Sequence, residues 1–461
     1  MRGNAVQFVC DYITARGGRG VVRVAVRWGR SQLRVRRQVR YTGDCRPPNT
    51  QHGASMYIEH LSLHNFRNYA RLEIALPQGP ILLHGANAQG KTSLLEAIYY
   101  LTMARSLHAG SDRQLVNWHA ARDVLPYAKV GADVVRDNRT VTRVEITLTP
   151  NENTLNGARV QKTIRVNGVA RRVMDLLGEV NVVLFLPQDL QLVEGAPVDR
   201  RRYLNAILCQ TDAGYCQALS TFEKALAQRN ALLKRIGEGQ AAPAELDYWD
   251  AQITETGAVV MAGRQRLLRG LERKARRVHA ELSGGAEDLE LRYRPGFMAA
   301  ANADGQLAFD VPGLDLHRQL TPDELAAQYA ERLNATRAEE IARGMTLSGP
   351  QRDELRLLVN GRDLGLYGSR GQARTAVVAL KLAELEWMRV TVGEWPILLL
   401  DEVIAELDAA RRAYLLERVL GVSQALLTTT EPEIFTAEFL ARATRWHIHQ
   451  GQIVRVENGA E

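Results

Sequence analysis

The chain has 461 residues, 46% of them apolar and 24% charged, an ordinary globular balance with room for two or three domains. No run approaches the roughly 18 to 20 apolar residues of a membrane span, and the four cysteines, Cys10, Cys45, Cys209 and Cys216, form no CxxC pair, which argues against a zinc or disulfide framework and makes a reducing cytoplasm the default compartment. The net charge of +7 is concentrated at one end: residues 1–55 hold eleven Arg and two Asp, a local +9 that leaves −2 for residues 56–461, so any nucleic acid met by the body must be met by local patches.

The basic N-terminal extension, 1–55, contains RWGRSQLRVRRQVRYTGDCRPPN, without sustained helical or strand periodicity. Three readings compete: a disordered basic arm, an Arg-rich targeting peptide, or upstream sequence from a mis-assigned start. The last is preferred, because a clean strand pattern opens at Met56.

Residues 56–205 are expected to form the first part of an α/β head. YIEHLSLHNF, ARLEIAL and ILLHG read as strands. After them comes Gly85-Ala86-Asn87-Ala88-Gln89-Gly90-Lys91-Thr92, a GxxxxGK[ST] loop followed by a predicted helix over about 92–107. Its glycines let the backbone wrap a phosphate, and its N–H groups and the helix N-terminus offer partial positive charge. Lys91 should reach the β- and γ-phosphates of ATP, and Thr92 should ligate Mg²⁺. Residues 127–186 read as further strands, with Asn167-Gly168 as a hairpin turn. Gln188, in LFLPQDL, sits where a Q-loop glutamine would, or is a plain loop residue.

Residues 206–343 read as a helical arm. In its second helix Leu246, Trp249, Ile253, Val260, Leu267, Leu271, Val278 and Leu282 follow a heptad seam. At 1.5 Å per residue a helix over 246–282 is about 55 Å long, either an antiparallel coiled coil with the helix before it or part of a compact helical subdomain. Arg266, Arg269, Arg273, Arg276 and Arg277 fall on the face opposite the seam and are a candidate phosphate-contacting stripe, or a solvated face. Arg200-Arg201-Arg202 is a second candidate beside a structural reading. No aromatics interleave with these charges, so duplex backbone is a better partner than stacked single-stranded bases.

Residues 344–461 are expected to complete the head. Gly368-Ser369-Arg370-Gly371-Gln372 precedes a long predicted helix that leads to Pro396-Ile397-Leu398-Leu399-Leu400-Asp401-Glu402. Four apolar residues in a row suit a strand buried on both faces, and the two carboxylates emerge where α/β sheets place ligands. Asp401 should hold Mg²⁺, and Glu402 should polarise the attacking water. The glycine-rich segment resembles the ABC signature, whose Ser369, Gly371 and Gln372 would meet the γ-phosphate of ATP on an opposing subunit. Leu347-Ser348-Gly349-Pro350-Gln351 is a decoy, because a strand hairpin with its turn at Asn360-Gly361 follows it. Glu406-Leu407-Asp408 resembles a D-loop, with Asp408 at a subunit junction. Thr428, Thr429 and Thr430 stand where many ABC proteins place a histidine.

From Met56 onward the chain resembles the RecF family. The resemblance rests on LSLHNFRNY at 61–69, the phosphate loop, PQDLQLVEGAPVDRRRYLN at 187–205, YCQALSTFEKALAQRNALLK at 215–234, TLSGPQRDEL at 346–355, GSRGQARTAVVALKLAE at 368–384 and LLLDEVIAELDAARR at 399–412. Gln188, Gln351 and Glu402 depart from the family's usual residues, the last replacing a second aspartate. The resemblance implies an ABC-type, SMC-like head with an inserted arm. It implies an ATP-dependent homodimer that binds duplex and gapped DNA and acts with RecR and RecO so that RecA loads on strands coated by SSB. It also implies slow, DNA-stimulated ATP hydrolysis and a place in DNA repair, recombination, replication and the SOS response, with no membrane partner. The residues alone leave open a transporter ATPase subunit, a nuclease-associated ATPase and a clamp without useful turnover.

Overall fold

The computed structural model describes residues 7–13, 21–27, 34–35, 55–106, 109–118, 127–150, 160–298 and 319–457. The chain divides into two units, Met1–His52 and Gly53–Glu461. In the first, β1 (Gln7–Ile13), β2 (Val21–Arg27) and β3 (Arg34–Val35) form an antiparallel sheet. The alternation in VVRVAVR is a local strand signal inside a segment whose basic composition hides it. The rest of the segment, and with it the three readings of the extension, lies outside the described residues.

In the second unit, β4 (Tyr57–Phe66), β5 (Tyr69–Ala75), β7 (Ala128–Val135), β8 (Val141–Pro150), β9 (Val160–Val166) and β10 (Val169–Arg171) form an antiparallel sheet of order β10-β9-β8-β7-β4-β5, and β6 (Gly79–His84) leaves it for the central sheet. The central sheet adds β11 (Val182–Phe185), which precedes the short α2 (Gln191–Glu194). The helices α3 (Pro197–Thr211), α4 (Ala213–Gly237), α5 (Leu246–Leu282) and α6 (Pro322–Arg343) follow, with β12 (Leu289–Arg294) after α5. A small sheet pairs β12 with β13 (Glu354–Val359) and β14 (Arg362–Asp363). The chain then runs through α7 (Leu364–Tyr367), α8 (Arg370–Val392), β15 (Ile397–Asp401), α9 (Ala409–Val419), β16 (Gln424–Thr429), α10 (Ala437–Arg442), β17 (Thr444–His449) and β18 (Gln452–Glu457). The helix after the phosphate loop, α1 (Lys91–Met103), is shorter than predicted, because Ala104 turns left-handed and caps it.

The central sheet has order β11-β15-β16-β6-β17-β18 and is parallel except for β18. Alternate residues of β15 serve two separate cores. Ile397 and Leu399 pack with α1 and the antiparallel sheet. Leu398 and Leu400 pack with α3, α8, α9 and the second half of α5. Hence the unbroken apolar run: both faces of the strand are covered. Gln424, fully buried, ties the layers together through Ile58 N–H, Ile58 C=O and Pro77 C=O.

Helix α5 keeps its seam inside, with Leu246, Ile253, Val260, Leu267, Leu271 and Val278 buried. Its first half packs with α4 and α6, its second with α8. The TLSGPQRDEL segment forms a buried hub. Asp353, 1% exposed, accepts from Gly296 N–H at 2.7 Å, from Arg264 at 2.5 Å and from the Tyr293 hydroxyl. Arg264 also donates to Pro350 C=O and Asn205. Asp353→Ala strands that guanidinium and is expected to cost about 3 to 5 kcal/mol of stability, measured by urea unfolding; a loss within the range of an exposed pair would show that the hub does not hold α5 to β13.

Candidate nucleotide site

The phosphate loop leaves the C-terminal end of β6, in the middle of a sheet whose ligands belong at that end. Gly85 has φ 143°, and a side chain there would meet Ile448 C=O at 2.4 Å. Gly90 has φ 116° and lies against Asn68. Only glycine tolerates both constraints. Lys91, 4% exposed, donates to Gly85 C=O at 2.8 Å and Ala86 C=O at 3.0 Å, and its ammonium lies 3.4 Å from Glu402 Oε1. The lysine charge is thus fixed at the loop.

Two turns brace the loop from outside. Asn68 Nδ2 donates to Gln89 C=O at 3.0 Å and Tyr69 Oη to Gly90 C=O at 3.1 Å. Across the loop, Gly451 N–H donates to Gln89 C=O and Gln450 N–H to Gln89 Oε1, each at 2.8 Å. Arg67 makes a bidentate pair with Glu96 on α1, at 2.7 and 2.8 Å. Burial pushes the Tyr69 phenol well up, which keeps it a donor. In the sequence HNFRNY carries only a family resemblance; its Arg67, Asn68 and Tyr69 turn out to brace the loop. Their signal is a polar turn between two strands, too common to single out.

Asp401 ends β15, 7% exposed. Its Oδ1 accepts from Thr92 Oγ1 at 3.0 Å and from Thr428 Oγ1 at 2.7 Å. Thr428 Oγ1 accepts Glu402 N–H at 2.9 Å. Parallel register sets Asp401 beside Thr428 and Thr429 beside His84. Thr429 instead serves its own turn, exchanging hydrogen bonds with Glu431. Glu402 adopts a left-handed backbone, φ 54°, that a non-glycine residue holds at a cost of about 1 to 3 kcal/mol, and its side chain is 40% exposed. Thr92 and Asp401 offer hard oxygens suited to Mg²⁺. Among the described residues no group of three or more His, Cys, Asp and Glu could hold a metal, so a cation here would complete its shell with phosphate oxygens and water.

The structure thus brings Gly85–Thr92, Asp401 and Glu402 together. Gln188 is exposed on the short 3-10 turn after β11, the strand paired with β15. Behind it, burial raises the pKa of Asp189, whose carboxylate accepts Leu186 N–H. Ser369, Gln372 and Asp408 make their hydrogen bonds elsewhere. Ser369 caps α8 and is exposed, and Gly371 follows in its first turn. Leu366 and Tyr367 just before them are 68% and 75% exposed. The decoy serine, Ser348, is 2% exposed. Asp408 caps α9, where Arg411 N–H and its guanidinium hold the carboxyl below its usual range. Arg200 and Arg201 do not form a free patch: Arg200 pairs with Glu354 at 2.9 Å and Arg201 donates to Asp353 C=O at 2.8 Å.

A family profile described as RecF/RecN/SMC N terminal domain matches residues 57–447. The chain is 42% identical over 409 residues to DNA replication and repair protein RecF of Chloroflexus aurantiacus (strain ATCC 29364 / DSM 637 / Y-400-fl), covering 86% of this chain and 99% of that one. It is 35% identical over 402 residues to DNA replication and repair protein RecF of Bacillus subtilis (strain 168), covering 87% and 100%. A solved structure of the recombination mediator protein RecF-ATP in the RecFOR pathway superposes with a TM-score of 0.73 at 30% identity, covering 87% of this chain and 98% of that one. The fold is an SMC-like head of ABC-ATPase type, with a mixed sheet and flanking helices.

Thr428→Val removes both the donor to Asp401 and the acceptor of Glu402 N–H while keeping the side chain's shape. If Thr92 and Asp401 hold Mg²⁺ for ATP turnover, the substitution is expected to raise the Mg²⁺ concentration needed for half-maximal turnover about 10- to 100-fold. An unchanged Mg²⁺ requirement would remove Thr428 from the site.

Proposed function

The chain belongs to the RecF family of DNA replication and repair proteins, and we propose that it is an ATP-gated DNA-binding protein of recombinational repair, whose nucleotide site is completed by a second copy of itself. The observation that carries this reading is the exposure of Ser369 while the phosphate-loop residues and the two carboxylates converge. Lys91, Thr92, Asp401 and Glu402 converge within one chain, while Ser369 stands exposed at the N-terminus of α8 beside the uncovered Leu366 and Tyr367. A helix N-terminus attracts phosphate, and large exposed apolar side chains mark interaction surfaces.

In this reading Lys91 and the N–H groups of Gly85–Thr92 hold the β- and γ-phosphates of ATP. Thr92 and Asp401 hold Mg²⁺, which when bound neutralises charge on those phosphates. Glu402, kept beside Lys91 and tethered through its own N–H to Thr428, takes the proton of the attacking water. Ser369, Gly371 and Gln372 of the second copy close the site, with Asp408 at the junction, and Gln188 lies between the two nucleotide halves. Slow hydrolysis resets the dimer.

DNA would meet the outer face of α5. Arg266, Arg269, Arg273, Arg276 and Arg277 are all exposed. Arg266 pairs with Asp212 at 3.5 Å, Arg276 with Asp288, and Arg277 with Glu386 at 2.9 Å. Such exposed pairs contribute about 0 to 1 kcal/mol each, so backbone phosphates can compete for the guanidinium groups. The reading places the protein in the cytoplasm, with duplex and gapped DNA as ligand. Its partners are RecR and RecO, with which it promotes RecA loading on single strands coated by SSB.

Lys91→Ala is expected to abolish nucleotide binding. Glu402→Gln is expected to trap an ATP-bound dimer in sedimentation velocity, and a monomer under those conditions would refute the composite site. With ATP, gapped duplex should bind more tightly than plain duplex, and single strand most weakly. Replacing Arg269 and Arg273 by Ala should flatten the slope of log affinity against log salt by roughly 0.9 for each phosphate that is no longer neutralised; an unchanged slope would move the DNA elsewhere.

A further inference from the structure

The signature turn is held from behind by a residue that no motif marks. Ser369 and Gln372 cap α8 reciprocally: Ser369 Oγ accepts Gln372 N–H at 3.2 Å, and Gln372 Oε1 accepts Ser369 N–H at 2.9 Å. The other end of the same amide, Nε2, donates to Glu287 Oε1 at 2.8 Å. Glu287 lies between the end of α5 and the start of β12. Its Oε2 is 3.0 Å from Nε2 of His279, a fully buried ring on the last turn of α5.

The chemistry of this chain is directional. A glutamine amide has one acceptor end and one donor end, and only its partners decide which way it faces. A carboxylate accepts only, so Glu287 requires Nε2 toward itself and therefore Oε1 toward Ser369 N–H. A reversed amide would set N–H₂ against N–H and lose the cap. Glu287 is itself held. His279 donates to it from Nε2, since a carboxylate only accepts, while its Nδ1 is buried without a hydrogen-bond partner among the described residues. Next in sequence, Asp288 is tied to α5 by Arg276. The carboxylate thus transmits the position of the α5 terminus to the signature.

We propose that Glu287 is a positioning residue for the trans-acting signature: it sets the orientation of the Gln372 amide and, through it, the Ser369 cap that a second copy's γ-phosphate would meet. The inference rests on the composite-site reading above. The experiment compares the full-length chain with Glu287→Ala, Glu287→Gln and Glu287→Asp. It measures the affinity of the monomer for a fluorescent ATP analogue at low protein concentration, the ATP concentration for half-maximal dimerisation by sedimentation velocity, and the thermal midpoint. Glu287→Ala should raise the ATP needed for dimerisation about tenfold, the cost of one missing charged hydrogen bond. Glu287→Asp keeps the charge and withdraws it by one methylene, so it should weaken dimerisation to a lesser degree, and it carries the test even where Glu287→Ala does not fold. Glu287→Gln offers Gln372 either an oxygen or an N–H₂, so it no longer dictates the amide's orientation and should dimerise at an ATP concentration between those of wild type and Glu287→Ala. Nucleotide affinity of the monomer should be the same in all four. Folded Glu287→Asp that dimerises at the wild-type ATP concentration would overturn the positioning role, as would a loss confined to the thermal midpoint. A wild-type chain that stays monomeric with ATP would instead overturn the composite site, and this inference with it.

Discussion

A carboxylate at the end of a strand buried on both faces must have partners, and Asp401 is that carboxylate. Its strand is enclosed by two cores, and Asp401 itself is only 7% exposed. An unpaired charge there would be costly. Among the described residues its partners are two threonine hydroxyls, one from the phosphate loop and one from the adjacent parallel strand. Hydroxyls satisfy a carboxylate without neutralising it, which leaves the negative charge available to a cation. Two lysine or arginine partners would have satisfied Asp401 better and made it useless for that purpose.

The same economy governs the loop. Gly85 and Gly90 give it conformations that other residues cannot hold, but freedom alone would leave it floppy. Rigidity comes from outside, through Asn68, Tyr69, Gln450 and Gly451, on turns of the two neighbouring antiparallel pairs. A loop preorganised by its surroundings loses less entropy when it binds a phosphate. The Arg67–Glu96 pair fixes α1 to the first of those turns, with Glu96 only 3% exposed, so the helix behind the loop cannot slide independently of it.

How much of this could be read from the sequence follows the range of each interaction. The strand, loop and helix around Gly85–Thr92 were legible because the pattern is contiguous. So were the apolar run ending at Asp401 and the heptad seam of α5, whose Leu246, Ile253, Val260 and Leu267 are buried. Thr428 was legible only as one of three threonines in a row. Which of them meets Asp401 is decided by the register of β15 against β16, a non-local fact that spacing does not carry. Glu287 was invisible for the same reason, since it meets Gln372 across 85 residues of chain. Arg200 and Arg201 left a patch and a structural reading open, because a run of like charges does not reveal its buried partners, here Glu354 and the Asp353 carbonyl.

The division into two cores also bears on why one chain would need another. Helix α1, behind the phosphate loop, packs on one face of the central sheet, and α8, behind the signature, packs on the other. The sheet between them is a close-packed layer. On the composite-site reading, the second N-terminus at each phosphate comes from a different molecule. Two-fold pairing satisfies this for both sites at once, because an isologous contact that brings one signature to one phosphate loop brings the reciprocal pair as well. ATP would then act as part of the interface, and its hydrolysis would remove the atoms that hold the copies together. On that logic the energy of the nucleotide is used to control association, which suits a protein that has to hold DNA for a time and then let go.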